Sequence, residues 1–166
     1  MIIEQNVTIP APAEKVWDLM MNVPEVSTCL PGVEGFEQVS PDVYKGILGV
    51  KVGPVAVRLE GQVTLVEQNR DEWLARMDVE ATDRRIRGAV NAKAWMKLYP
   101  RDDETGLLVH TDASILGKLG QFGQAVLRKK ADQMMAEFVA NMSKKLEAPS
   151  PAPATEPATE SAATEA

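Results

Sequence analysis

The chain has 166 residues, 45% of them hydrophobic and 25% charged, which is typical of one globular domain with a single core. Its formal net charge of −6 argues against a nucleic-acid-binding protein, because a phosphate backbone attracts basic surfaces. It has one cysteine, no basic leader followed by an apolar stretch, and no run of about 18 apolar residues. We therefore predict no internal disulfide, no signal peptide, no membrane-spanning helix and a cytoplasmic protein.

The first predicted elements are a strand and two short helices. Residues 2–9 form the strand. Pro12 suits the first position of a helix, because its missing N–H group is not needed there. Pro24 ends that helix and opens a second, shorter one that runs to Cys29. The pair Pro31-Gly32 then predicts a tight turn.

From Gly35 to Ile115 the hydrophobic period is two residues, which predicts antiparallel strands with one wet face. Residues 117–147 then form one long amphipathic helix, which carries Gly117, Gly120 and Gly123 in its first turns. The arrangement that buries one face of every strand is a curved sheet of about six or seven strands around this helix, an α+β fold.

Small residues occupy both surfaces that this arrangement brings together. Besides the helix glycines, they are Gly46, Gly61, Gly88, Ala92 and Ala94 on the inward strand faces. Either the helix lies very close to the sheet, or space is left between them. Because so long a helix cannot contact a curved sheet everywhere, we expect an apolar cavity, with tight packing as the alternative.

A search for catalytic or metal-binding residues finds no candidates. We expect His110, the single histidine, on the surface and Cys29 as a packed thiol without a nearby base. No cluster has metal-ligand spacing. An enzyme of this fold would need polar groups such as Tyr44 or Asp112 to converge in the cavity.

Two surface features leave alternatives open. The carboxylates Asp78, Glu80 and Asp83 precede the basic run 84–87, which predicts a solvated strand end or a site for an acidic partner. Trp95 and Tyr99 share the strand face of three polar residues. They form either an exposed docking patch or a buried pair in a shifted register.

The last segment, residues 148–166, contains only Ala, Pro, Thr, Glu and Ser. Such a composition has little to bury, so we predict a disordered tail after a domain at residues 1–147. The tail is either a spacer or a solvated end.

Three segments together resemble one known family. They are residues 9–37 with Cys29-Leu30-Pro31-Gly32, residues 46–61 with Val52-Gly53-Pro54, and residues 117–142 with Gly117-Lys118-Leu119. The family is CoxG, named for carbon monoxide dehydrogenase, within the START-like, polyketide cyclase superfamily of helix-grip folds. The resemblance covers about residues 1–146.

This resemblance implies a non-enzymatic accessory protein of a molybdenum hydroxylase of the carbon monoxide dehydrogenase type. It also implies association with the inner face of the cytoplasmic membrane. The implied ligand is a respiratory quinone, menaquinone or ubiquinone, bound without a covalent cofactor. The acidic tail would be repelled by an anionic leaflet, so we expect the basic helix residues Arg128, Lys129 and Lys130 to make the membrane contact.

The residues expected to line the cavity come from the long helix region and from the inward strand faces. They are Leu119, Phe122, Gly123, Val126, Met134, Phe138, Leu59, Val63, Met77, Val90 and Met96. Two alternatives remain, a cyclase or hydrolase of the same fold and a structural adaptor with a filled core.

Overall fold

The computed structural model of the chain describes residues 1–147. The predicted tail, residues 148–166, lies outside this part. The strands are β1 (Ile2–Ile9), β2 (Val33–Ser40), β3 (Val43–Val52), β4 (Val55–Asn69), β5 (Leu74–Asp83), β6 (Gly88–Arg101) and β7 (Glu104–Gly117). The helices are α1 (Ala13–Met21), α2 (Val23–Val26) and α3 (Gln124–Glu147). Short 3-10 turns span Ser27–Cys29 and Lys118–Phe122.

The seven strands form one antiparallel sheet in the order β1-β7-β6-β5-β4-β3-β2. Successive strands from β2 to β7 are therefore neighbours, and β1 closes the row beside β7. This confirms the predicted fold class, a seven-stranded sheet with a long C-terminal helix and two short helices after β1. Since side chains alternate along each strand, one face of the sheet is turned to α3 and the other to solvent.

The main core lies at one end of the inner face, where α1 and the last turns of α3 pack on the sheet. Its buried members include Val16 and Trp17 of α1, Met96 of β6, Leu107 of β7 and Met142 of α3. Trp17 packs edge-on against Trp73, with the ring centroids 5.9 Å apart. The cluster therefore fixes the C-terminal half of α3.

A second, smaller cluster closes the opposite end of the inner face. Its buried residues are Val52, Val57 and Leu119, and Ile86 and Phe122 pack against them. These residues come from the β3–β4 and β5–β6 hairpins and from the 3-10 turn before α3. This cluster joins three segments that are far apart in the chain.

The long helix begins later than the sequence predicts. It starts at Gln124, and the residues before it form the separate turn Lys118–Phe122. Gly117 and Gly123 flank that turn with φ angles of +67° and +87°, a conformation that non-glycine residues rarely adopt. The predicted helix over residues 117–147 is therefore wrong in its first two turns. The glycines set the chain direction before α3.

The acidic strand end is also different from the prediction. Asp83 is not solvated but 2% exposed. Its carboxylate accepts the backbone N–H groups of Arg58 at 2.8 Å and of Arg85 at 2.9 Å. These bonds to the charged form hold the pKa of Asp83 below its usual range, against the opposing effect of burial. The residue therefore ties the β5–β6 turn to β4.

Candidate ligand-binding site

The packed core is interrupted between its two clusters. Val63 of β4 lies opposite Val79 of β5, which lies opposite Ala92 of β6, so these three form one row across the inner face. All three are only half-buried, although they lie in the middle of the sheet. None of them belongs to either cluster. The middle row is therefore the part of the inner face that the core leaves uncovered.

The part of α3 that faces this row is also incompletely packed. Leu127 packs into the small cluster, whereas Phe138 packs against the main core. The eleven residues between them advance about 16 Å along the helix axis. Met134 and Met135 lie within this interval and are half-buried. Met142 is the one buried residue of α3, so most of this helix stands off the sheet.

The structure places the eleven predicted lining residues in four settings. Leu119, Phe122, Leu59 and Val90 belong to the small cluster. Met96 and Phe138 belong to the main core. Val63, Met77 and Met134 lie between the clusters. Gly123 and Val126 are exposed, Val126 by 44%. The later start of α3 explains Val126, because the inward stripe then passes through Leu127 and Ala131 instead.

The small residues do not act as predicted. A Cβ atom on Gly61 would lie 2.6 Å from Ala81 Cβ, and one on Gly88 would lie 2.6 Å from Leu119 Cγ. A Cβ on Gly46 would lie 2.7 Å from the Gly35 carbonyl oxygen. The glycines therefore let neighbouring groups approach closely, and they leave no volume of their own. The interruption of the core comes from the stand-off of α3.

Polar groups at the inner face are few and serve the packing of α3. Gln5 of β1 donates from Nε2 to the Ala131 carbonyl oxygen and to Asp132 Oδ1, both at 3.1 Å. Thr111 of β7 faces Ala94 of β6 and Ile3 of β1 in the row next to Val79. Neither polar residue was predicted, although the alternation of β1 places Gln5 among inward residues.

The two polar groups that an enzyme would use do not converge. Tyr44 is buried, stacks on Phe36 at 5.5 Å and donates its hydroxyl to the Pro41 carbonyl oxygen at 3.4 Å. Asp112 lies opposite Lys93 on the outer face and is half-buried there. In residues 1–147 no three His, Cys, Asp or Glu side chains form a group suited to a metal ion.

The outer face carries the aromatic residues whose position the sequence left open. Trp95 stacks on His110 with the ring centroids 5.2 Å apart, and His110 Nδ1 lies 2.9 Å from Glu4 Oε2. Tyr99 is 42% exposed. The strand register is therefore not shifted, and both aromatic residues lie on the wet face. Cys29, in contrast, is buried, and this burial raises the pKa of its thiol.

A large cleft lies on the same outer face and has a volume of about 690 Å³. Its lining includes Glu37, Lys45, Glu60, Gln62 and Glu80. A charged lining of this kind is poorly suited to an apolar ligand. For a hydrophobic molecule, the gap beneath α3 is the better candidate site.

The amino-acid sequence matches one family over nearly the whole described part of the chain. The model of that family, described as CoxG of carbon monoxide dehydrogenase, matches residues 6–147. No curated protein matches the chain. Among residues 1–147, no helix has both the length and the apolar character needed to cross a membrane.

Solved structures share the fold at low sequence identity. A conserved protein from Geobacillus kaustophilus superposes with a TM-score of 0.80 at 22% identity, covering 88% of this chain and 95% of that one. A START superfamily protein from Mycobacterium smegmatis gives 0.62 at 12% identity over 88% and 97% of the two chains. The Zhui aromatase/cyclase from Streptomyces sp. R1128 gives 0.61 at 15% identity over 89% and 93%.

Proposed function

Because this chain belongs to the CoxG family of carbon monoxide dehydrogenase, we propose that it is an accessory protein that carries a hydrophobic ligand for a molybdenum hydroxylase. The ligand is a respiratory quinone, menaquinone or ubiquinone. The protein links the enzyme to the electron-transport chain by peripheral contact with the cytoplasmic membrane. The observation that carries this proposal is the interrupted core beneath α3.

The gap suits the apolar tail of such a ligand. Met134 and Met135 project from the part of α3 between the clusters, and Val63 and Val79 lie on the facing sheet. Methionine side chains are flexible and polarizable, so they adapt to an irregular apolar chain. The protein would supply an apolar environment and orientation, while the bound quinone would carry the electrons.

Extraction tests this proposal directly. The full chain is purified from a bacterium that makes both ubiquinone and menaquinone, extracted with organic solvent and examined by mass spectrometry. We expect an isoprenoid quinone at close to one molecule per chain. Absence of any quinone, combined with turnover of a polyketide-like substrate, would instead favour a cyclase of the same fold.

A matched pair of variants locates the ligand. Val63→Phe places a large side chain in the gap and is expected to reduce the quinone content by at least about tenfold, the equivalent of about 1.4 kcal/mol. Val66→Phe introduces the same ring at a position that is 58% exposed on β4. This control is expected to retain the quinone. Equal retention by both variants contradicts a site beneath α3.

A further inference from the structure

Basic residues are concentrated at one end of the molecule, which we call the basic pole. It consists of the β3–β4 hairpin tip (residues 51–58), the β5–β6 turn (84–87) and the segment that leads into α3 (116–130). The small cluster holds these three segments together. They contain nine basic residues and no acid, in a chain whose formal charge is −6. The nine are Lys51, Arg58, Arg84, Arg85, Arg87, Lys118, Arg128, Lys129 and Lys130.

Most of these charges are not neutralised by neighbours. Arg58 pairs with Glu34 at 3.0 Å, and Arg85 lies 3.6 Å from Asp83. Within residues 1–147, no carboxylate lies within 4.0 Å of a side-chain nitrogen of the other seven. Lys51 and Lys118 are exposed among those seven, whereas Lys130 is half-buried. The positive charge is therefore available to an anionic partner.

The opposite end of the molecule has the opposite charge. The turns β2–β3, β4–β5 and β6–β7, at residues 41–42, 70–73 and 102–103, hold five acids and one base. A negatively charged surface would attract one end of the sheet and repel the other. The charge distribution thus fixes an orientation as well as an attraction.

Apolar side chains accompany the basic ones. Leu116 is 49% exposed and Val126 is 44% exposed, on the two sides of the turn Lys118–Phe122. The tip of the β3–β4 hairpin is the exposed pair Gly53-Pro54. Exposed apolar residues within a ring of Lys and Arg are typical of surfaces that contact anionic bilayers.

We propose that the basic pole is a docking surface for an anionic lipid bilayer, with the strands directed away from the membrane. The inference deepens the proposed carrier function and rests on it for the reason that a membrane is the partner. In this orientation the small cluster, which closes one end of the gap beneath α3, faces the lipid. The acidic turns at the far end remain in solution.

Vesicle binding tests the docking surface. The full chain is mixed with phosphatidylcholine vesicles that contain either no phosphatidylglycerol or about a third of it, and bound protein is measured by flotation. We expect binding to the anionic vesicles only, and release as NaCl rises from about 0.05 to 0.5 M. Equal binding to both vesicle types, or to neither, overturns the proposal.

Matched triple variants assign the binding to the pole. Lys51→Gln, Lys118→Gln and Lys129→Gln together remove three exposed charges from it. Since one basic residue near an anionic surface strengthens binding by about fivefold, this triple variant should bind about 100-fold more weakly. The control triple, Lys15→Gln, Lys45→Gln and Lys144→Gln, removes three exposed charges elsewhere and should stay within about threefold. Equal losses in both contradict the assignment.

Two further measurements separate this inference from its neighbours. Quinone content is measured on the same variants, and the pole variant should retain its ligand while losing vesicle binding. A protein that binds anionic vesicles through the pole but carries no quinone would refute the carrier function and leave the docking surface standing. Binding to polyglutamate with no preference for anionic vesicles would overturn the lipid assignment in favour of an acidic protein.

Discussion

Leu119 packs directly over Gly88, so that a Cβ atom added to Gly88 would lie 2.6 Å from Leu119 Cγ. This contact joins the turn before α3 to the first residue of β6. It links the sheet to the segment that directs α3 across it. The small cluster depends on this close approach.

Replacing this glycine tests the contact. Gly88→Ala is expected to destabilise the fold by about 1–3 kcal/mol, because Leu119 must move away from its packed position. Chemical denaturation measures the change. Gly35→Ala is the control, since its new Cβ would meet its nearest neighbour at 3.9 Å and should change stability little. In a Leu119→Ala background the Gly88→Ala change should cost less, and strict additivity would argue against this contact.

Two identical substitutions compare the gap with the packed core. Ala92→Leu enlarges a half-buried residue of the middle row, whereas Ala75→Leu enlarges a main-core residue that is 1% exposed. Overpacking should destabilise the Ala75→Leu protein by about 1–3 kcal/mol. The Ala92→Leu side chain enters the gap and should cost less than about 0.5 kcal/mol. Comparable losses in denaturation experiments would mean that the middle row is already filled.

Asp83 should make stability depend on pH in the acid range. Its pKa is lowered in the folded state, so its contribution is complete above the pKa of the unfolded chain. That contribution disappears as pH falls through the lower folded value. Asp83→Asn should lose about 1–3 kcal/mol at pH 7, because charged hydrogen bonds to Arg58 and Arg85 are replaced by neutral ones.

Denaturation between pH 7 and pH 2 checks this prediction. The wild-type and Asp83→Asn curves should converge as the pH falls below about 4. Asp71→Asn, at an exposed turn position, should run parallel to the wild type. A constant difference between the wild type and Asp83→Asn over the whole range would exclude a contribution from ionised Asp83.

Cys29 is expected to react slowly with thiol reagents. Burial raises the pKa of its thiol, so the reactive thiolate is scarce at neutral pH. The residue is 1% exposed, and reagent access requires local opening. Labelling with a chromogenic disulfide should be at least about 100-fold faster in denaturant than in buffer, in line with an opening free energy of about 3 kcal/mol. Equal rates would place the thiol at the surface.

The sheet was predictable because its signal is local. Alternation along segments such as residues 55–65 fixes both the strands and their inward faces, and the structure confirms the seven-stranded arrangement. The start of α3 was not predictable from spacing alone. Glycines three residues apart fit a helical period, whereas the sign of φ at Gly117 and Gly123 depends on the chain's path over β6.

The site was harder to predict than the fold, because it depends on distant contacts. The sequence shows that Gly88 is small but not that Leu119 fills the space above it. It shows single basic residues but not that the topology gathers the segments around Lys51, Arg87 and Lys118 at one end. Predicted lining residues such as Val63 and Met134 lie at the gap, whereas Val126 turns outward because α3 begins at Gln124.

Photolabelling tests the central claim most directly, namely that a quinone tail binds between α3 and the sheet. A quinone with a diazirine in its isoprenoid tail is bound to the full chain and irradiated, and the labelled peptides are mapped. We predict labels on peptides that contain Met134 and Met135 of α3 and Val63 or Val79 of the sheet, removed by excess unlabelled quinone. Labels confined to the outer-face cleft around Glu60 and Gln62, or labels that unlabelled quinone does not remove, would contradict the account.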